Sequence, residues 1–73
     1  QGPWRAFGDE LGLLFQVVDD ILDGDGYVLT HGADGARGIA EASADRAQAA
    51  LALVGADTSV LAGIVESLRS RTV

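Results

Sequence analysis

The chain has 73 residues, 48% of them hydrophobic, and its five arginines against eleven acids, with no lysine, leave a net charge of −6. A unit this short buries only about 60% of its unfolded surface, so its apolar surplus points to faces meant for other helices rather than for water. The acidic balance argues against nucleic acid and against an anionic membrane surface, both of which are held by cationic side chains, and the absence of cysteine excludes a disulfide framework or a thiolate zinc site.

No apolar run approaches the ~20 residues needed to cross a bilayer, and no basic-then-apolar leader is visible, which predicts a soluble cytoplasmic protein. The chain opens on Gln1 and contains no methionine. It is therefore expected to be a processed or fragmentary piece of a longer polypeptide, an incomplete domain spanning residues 1–73.

The first predicted element is the longest helix, from about Pro3 to Asp23, with proline tolerated in its first turn. Trp4, Phe7, Leu11, Leu14, Phe15, Val18 and Leu22 recur at steps of three and four and form its expected core-facing stripe. Trp4 and Phe7 are expected in the core or at a subunit contact, and Asp9 and Glu10 on a solvated face.

Gln16, Asp19, Asp20 and Asp23 fall at i, i+3, i+4 and i+7 and share one face of that helix. Like charges one turn apart cost an isolated helix ~0.2–0.5 kcal/mol per pair. Acids at a helix C-terminus also oppose the dipole. A hard divalent cation offsets both. Magnesium takes one or two carboxylates, keeps waters and fills its remaining positions with phosphate oxygens, so the inferred ligand is anionic and bound through metal.

The run Asp23-Gly24-Asp25-Gly26 also suggests a calcium loop, but no register works: setting Gly26 at the sixth position puts Ile21 at the first and Gly32 at the twelfth. Gly24-Asp25-Gly26 reads instead as a turn, with glycine in the left-handed conformation of a C-cap. Residues 24–32 form the connection, carrying a short apolar patch at Tyr27, Val28 and Leu29. His31 has no second histidine or carboxylate at ligand spacing and is expected as a solvated loop residue.

A second helix is predicted from Asp34 as N-cap to about Val54, with Gly55 ending it. Its stripe, Ile39, Ser43, Ala47, Ala50, Leu51 and Val54, is small enough for close helix approach. Arg37 and Arg46 are expected to pair with Glu41 and Asp45 at the surface. Asp57-Thr58-Ser59 caps a third helix to about Arg69, with Val60, Leu61, Ile64, Val65 and Leu68 on one side. Arg69 and Arg71 suit its C-terminal dipole. The fold class is all-α, three antiparallel helices.

The run from Leu11 to Asp23, Leu-Gly-Leu-Leu-Phe-Gln-Val-Val-Asp-Asp-Ile-Leu-Asp, resembles the second aspartate-rich motif of the trans-isoprenyl diphosphate synthases, the farnesyl and geranylgeranyl diphosphate synthase group. The Leu-Gly-x-x-Phe-Gln lead-in makes the match much more specific than a bare Asp-Asp-x-x-Asp. The resemblance covers the C-terminal part of that family and implies that the three helices form part of an isoprenoid-synthase helical bundle. It implies Mg²⁺ as cofactor, Asp19 as principal magnesium ligand with Asp20 and Asp23 acting directly or through water, and Gln16 pointing at the allylic end. Phe15, one turn from the acids, would floor a prenyl pocket.

The implied reaction is 1'-4 condensation of isopentenyl diphosphate with an allylic diphosphate by the parent protein, this piece alone being inactive and supplying no catalytic residue by itself. Its implied partners are the N-terminal helices or a second subunit, in a homodimer. Two departures bear on function: the family's first aspartate-rich motif and its arginine pair are absent from this chain, and the Gly-Lys-rich loop after the second motif is replaced by Gly24-Asp25-Gly26-Tyr27. A non-catalytic helical subunit of such an enzyme is the second reading.

Overall fold

In the computed structural model, which describes residues 2–54 and 57–72, the chain forms three helices: α1 (Pro3–Asp23), α2 (Tyr27–Ala52) and α3 (Ser59–Ser70). There is no strand among the described residues. α1 keeps the predicted limits. It opens with Pro3 at its first position and ends on Gly24, whose left-handed backbone (φ 66°, ψ 38°) directs its N–H to the carbonyl of Asp20.

α2 differs from expectation at its start. The residues expected as loop include a helical turn, Tyr27 to His31, which runs into the long part of α2 through a kink at Gly32. Gly32 has φ 76° and ψ 167°, a conformation that an L side chain resists, and the two helical pieces therefore meet at an angle. Asp34 is not an N-cap: its carboxylate accepts from Arg37 Nη2 at 2.7 Å inside the helix. Gly55, expected to end the second helix, lies outside the described residues.

The helices run antiparallel in sequence order. Gln48 of α2 donates to the carbonyl of Ala62 and to Glu66 of α3, both at 3.0 Å, while Arg69 at the far end of α3 reaches back to Glu41 and Asp45. On the other side of α2, Arg46 Nε meets Glu10 Oε2 of α1 at 2.9 Å. These contacts replace the expected Arg37–Glu41 and Arg46–Asp45 pairs. Arg46 and Arg69 find carboxylates on a neighbouring helix, whereas Arg37 pairs with Asp34 of its own.

Arg69 is the main polar tie of α3, contacting Asp45 at 2.8 Å, Glu41 at 2.5 Å and Glu66 at 3.3 Å. The Asp45 hydrogen bond, opposed by burial and aided by Glu41, raises its pKa above the ordinary arginine value. Hydrogen bonding to Glu10 does the same for Arg46. The predicted cap of α3 works through Asp57, whose carboxylate accepts the Ser59 N–H at 3.0 Å and whose pKa is lowered by that bond.

The core comprises Phe7, Leu14, Val17 and Val18 of α1, Ala36, Ala40, Ala44, Ala47, Ala50 and Leu51 of α2, and Val65 and Leu68 of α3, with Ser43 also buried. The alanines let α1 and α2 approach closely but contribute little apolar area each, so Leu14, Val17 and Val18 carry much of the burial. The stripe drawn for α1 needs correction. Val17 is fully buried, whereas Trp4, Phe15 and Leu22 are 53%, 47% and 60% exposed. On α3, Leu61, Val65 and Leu68 face the core while Val60 and Ile64 are exposed.

Candidate functional site

The acids converge on the last two turns of α1, beside the connection into α2. Asp20 is half-buried and fully engaged. Its Oδ2 accepts the backbone N–H of Tyr27 at 3.0 Å, and its Oδ1 accepts Gln16 Nε2 at 3.3 Å. It thus satisfies one of the unpaired N–H groups at the start of α2, the work an N-cap side chain normally does, from seven residues upstream.

That arrangement explains Gly26. Its φ is 46°, and a Cβ there would run into the Asp20 carboxylate. Asp25 stabilises the same turn, its carboxylate accepting the Gly26 N–H at 2.8 Å. Thr30 Oγ1 lies within hydrogen-bonding distance of the Gly26 carbonyl and 2.8 Å from His31 Nδ1, and the His31 ring stacks on Tyr27 with centroids 5.5 Å apart. His31 is exposed, as expected, but on a helical turn rather than in a loop.

Gln16, Asp20, Gly26, Tyr27 and Thr30 line an open groove of about 450 Å³. Two of these, Gln16 and Asp20, are among the residues expected from sequence. Gly26, Tyr27 and Thr30 fall in the segment expected as connection, although Tyr27 and Thr30 stand at the i, i+3 spacing of one helical turn. Phe15 does not line this groove and is about half exposed.

Asp19 and Asp23, one turn apart, are exposed and do not line the groove, and no side-chain hydrogen bond or ion pair engages either among the described residues. No group of three or more acids, histidines or cysteines is placed to hold a metal among the described residues. Asp19 and Asp23 are thus two exposed carboxylates on adjacent turns, fewer oxygen ligands than a hard cation takes, and Asp20 braces the turn beside them.

A second groove of about 500 Å³ lies at the opposite end of α1, bordered by Pro3, Ala6, Leu53 and the Glu10–Arg46 ion pair. Its charges cancel. No helix among the described residues is long and apolar enough to cross a membrane. No protein-family model, curated protein or solved structure matches this chain.

Proposed function

We propose that this chain is the C-terminal helical part of a magnesium-dependent prenyltransferase that condenses isopentenyl diphosphate with an allylic diphosphate. The observation that carries the reading is the pair Asp19 and Asp23: two exposed carboxylates without protein partners among the described residues, one turn apart on the end of a helix whose dipole disfavours them. The last turn of α1 contains no basic residue to offset them. Their sequence frame, Phe15-Gln16-x-x-Asp19-Asp20-x-x-Asp23, supports the same assignment.

Magnesium bound there supplies charge neutralisation for a departing diphosphate, which is Lewis-acid and electrostatic catalysis. The chain's own residues do the positioning. Asp19 and Asp23 project from adjacent turns of a rigid helix. Asp20 anchors that helix end to the start of α2 and, through Gln16, holds the amide against the acidic face. Permanently charged cations that contact diphosphate directly come from outside this tip, because the first arginine after Asp23 is Arg37 and the chain has no lysine.

That last feature favours the second reading, a non-catalytic helical subunit. Residues 24–26 are all that join α1 to α2, leaving no space for a lysine-bearing loop. The deciding experiment is to express this segment with its upstream coding sequence and assay Mg²⁺-dependent condensation of isopentenyl and geranyl diphosphates. The reading expects activity that Asp19→Ala abolishes with helical content unchanged. An upstream sequence without a second aspartate-rich run, or an Asp19→Ala protein condensing at near-normal rate, would exclude it.

A further inference from the structure

The helical turn of residues 27–31 meets the rest of α2 through one residue that breaks the helix, and it is tied to α1 by the Asp20 carboxylate. Gly32, at φ 76° and ψ 167°, stands between the two helical pieces in a backbone region that only glycine enters readily. On the α1 side, Asp20 Oδ2 holds the Tyr27 N–H at 3.0 Å. Between these ends the turn is internally braced: the Thr30 N–H donates to the Gly26 carbonyl at 3.1 Å, and the His31 ring stacks on Tyr27. Leu29, Thr30 and His31 are exposed, and only Tyr27 and Val28 rest on the core.

A second position of the same turn is stereochemically open. With Gly32 at ordinary helical angles, residues 27–52 would form one straight helix. Pro3, Ala6 and Glu10 border one groove together with Leu53, Ala50 and Arg46, which sets the antiparallel register of α1 and α2 and brings residue 24 level with residue 32. In a straight α2, the Tyr27 Cα would then stand about 9 Å beyond that of Asp23 along the helix axis. Axes of packed helices lie about 8–10 Å apart. The resulting separation of about 13 Å is within the ~14 Å that the four peptide units between Asp23 and Tyr27 can span.

We propose that residues 27–31 form a lid, hinged at Gly32 and latched by Asp20, that swings away from the groove beside Gln16 as α2 straightens. Closed, the lid contributes Tyr27 and Thr30 to that groove; open, it withdraws both. Opening gives up the latch and the seat of Tyr27 and Val28, and it gains helical hydrogen bonds across position 32. A ligand that touches both walls of the groove binds the closed form better and shifts the population toward it. The lid operates whether or not Asp19 and Asp23 hold magnesium.

Amide hydrogen exchange of the 73-residue chain, followed by NMR, reads both sides of the hinge. Gly32→Ala favours the open form, because an L side chain resists the closed angles and prefers the helical ones. The Tyr27 N–H is then expected to exchange about tenfold faster. The Ala33 N–H, newly able to reach the Leu29 carbonyl, exchanges about tenfold slower, and the Leu14 N–H stays protected. D-alanine at position 32, introduced by chemical synthesis, accepts the closed angles and slows Tyr27 exchange instead. Wild-type rates at Tyr27 and Ala33 in Gly32→Ala would overturn the lid, as would L- and D-alanine acting alike. Loss of Leu14 protection in Gly32→Ala would overturn it too, since the closed angles would then be a condition of folding and not one of two positions.

Discussion

The Asp20 carboxylate caps a helix it does not belong to: its Oδ2 lies 3.0 Å from the backbone nitrogen of Tyr27, joining the last turn of α1 to the first turn of α2. Of the three clustered acids it is thus the one with structural work. Its neutral isostere keeps an acceptor, and truncation removes it. Asp20→Ala is expected to destabilise the chain by about 0.5–2 kcal/mol, the usual cost of a lost N-cap acceptor, while Asp20→Asn retains most of that and Asp19→Asn costs nothing. Thermal melts of the three variants, followed by circular dichroism, check the order.

Gly26 faces the same carboxylate. Gly26→Ala imposes a positive φ on an L residue and drives its Cβ into Asp20, so the expected loss is about 1–2 kcal/mol. Gly12→Ala, in a regular helix with open space around it, is expected to raise helix stability instead. Urea unfolding of the two variants side by side separates a glycine required by geometry from one that is not.

Arg69 ties α3 to α2. Arg69→Ala leaves Glu41, Asp45 and Glu66 facing one another without their shared cation, at a cost of about 1–2 kcal/mol at low salt, less at high salt. Because α3 touches the rest of the fold mainly through Leu61, Val65 and Leu68, its amides are expected to lose hydrogen-exchange protection before those of α1.

Asp57 titrates below the ordinary aspartate value of 3.8 because its charged form accepts the Ser59 N–H. A lowered folded-state pKa contributes stability above the unfolded value, and that contribution fades as pH falls through the folded one. The Ser59 amide resonance is therefore expected to shift with a midpoint below 3.8. A midpoint at or above that value contradicts the cap.

Some of this architecture was legible in the sequence. Pro3 and Gly24 mark the ends of α1 because each restricts the backbone locally, and local restrictions do not depend on the rest of the fold. The buried arc of α1 was not legible. Apolar residues cover more than half its circumference, so spacing alone selects a stripe through Trp4, Phe15 and Leu22, while the packing of α2 beside Glu10 and Val17 rotates the true one by less than a residue's step of ~100°. The pairing of Arg46 with Glu10 and of Arg69 with Glu41 is likewise a property of neighbouring helices. At the candidate site, the shared face of Gln16, Asp19, Asp20 and Asp23 follows from helical spacing. The division of labour among them does not, because Asp20's partner is a backbone group of the next helix.

We propose that Asp19 and Asp23 hold a magnesium ion against a diphosphate. Crystals of this segment with its upstream sequence, grown with Mg²⁺ and a bisphosphonate, decide it. The expected ion is octahedral, about 2.1 Å from a carboxylate oxygen of Asp19 or Asp23, and bridges to the phosphonate, with Asp20 still bonded to the Tyr27 N–H. Both carboxylates turned to solvent, with the bisphosphonate bound elsewhere, would rule the site out.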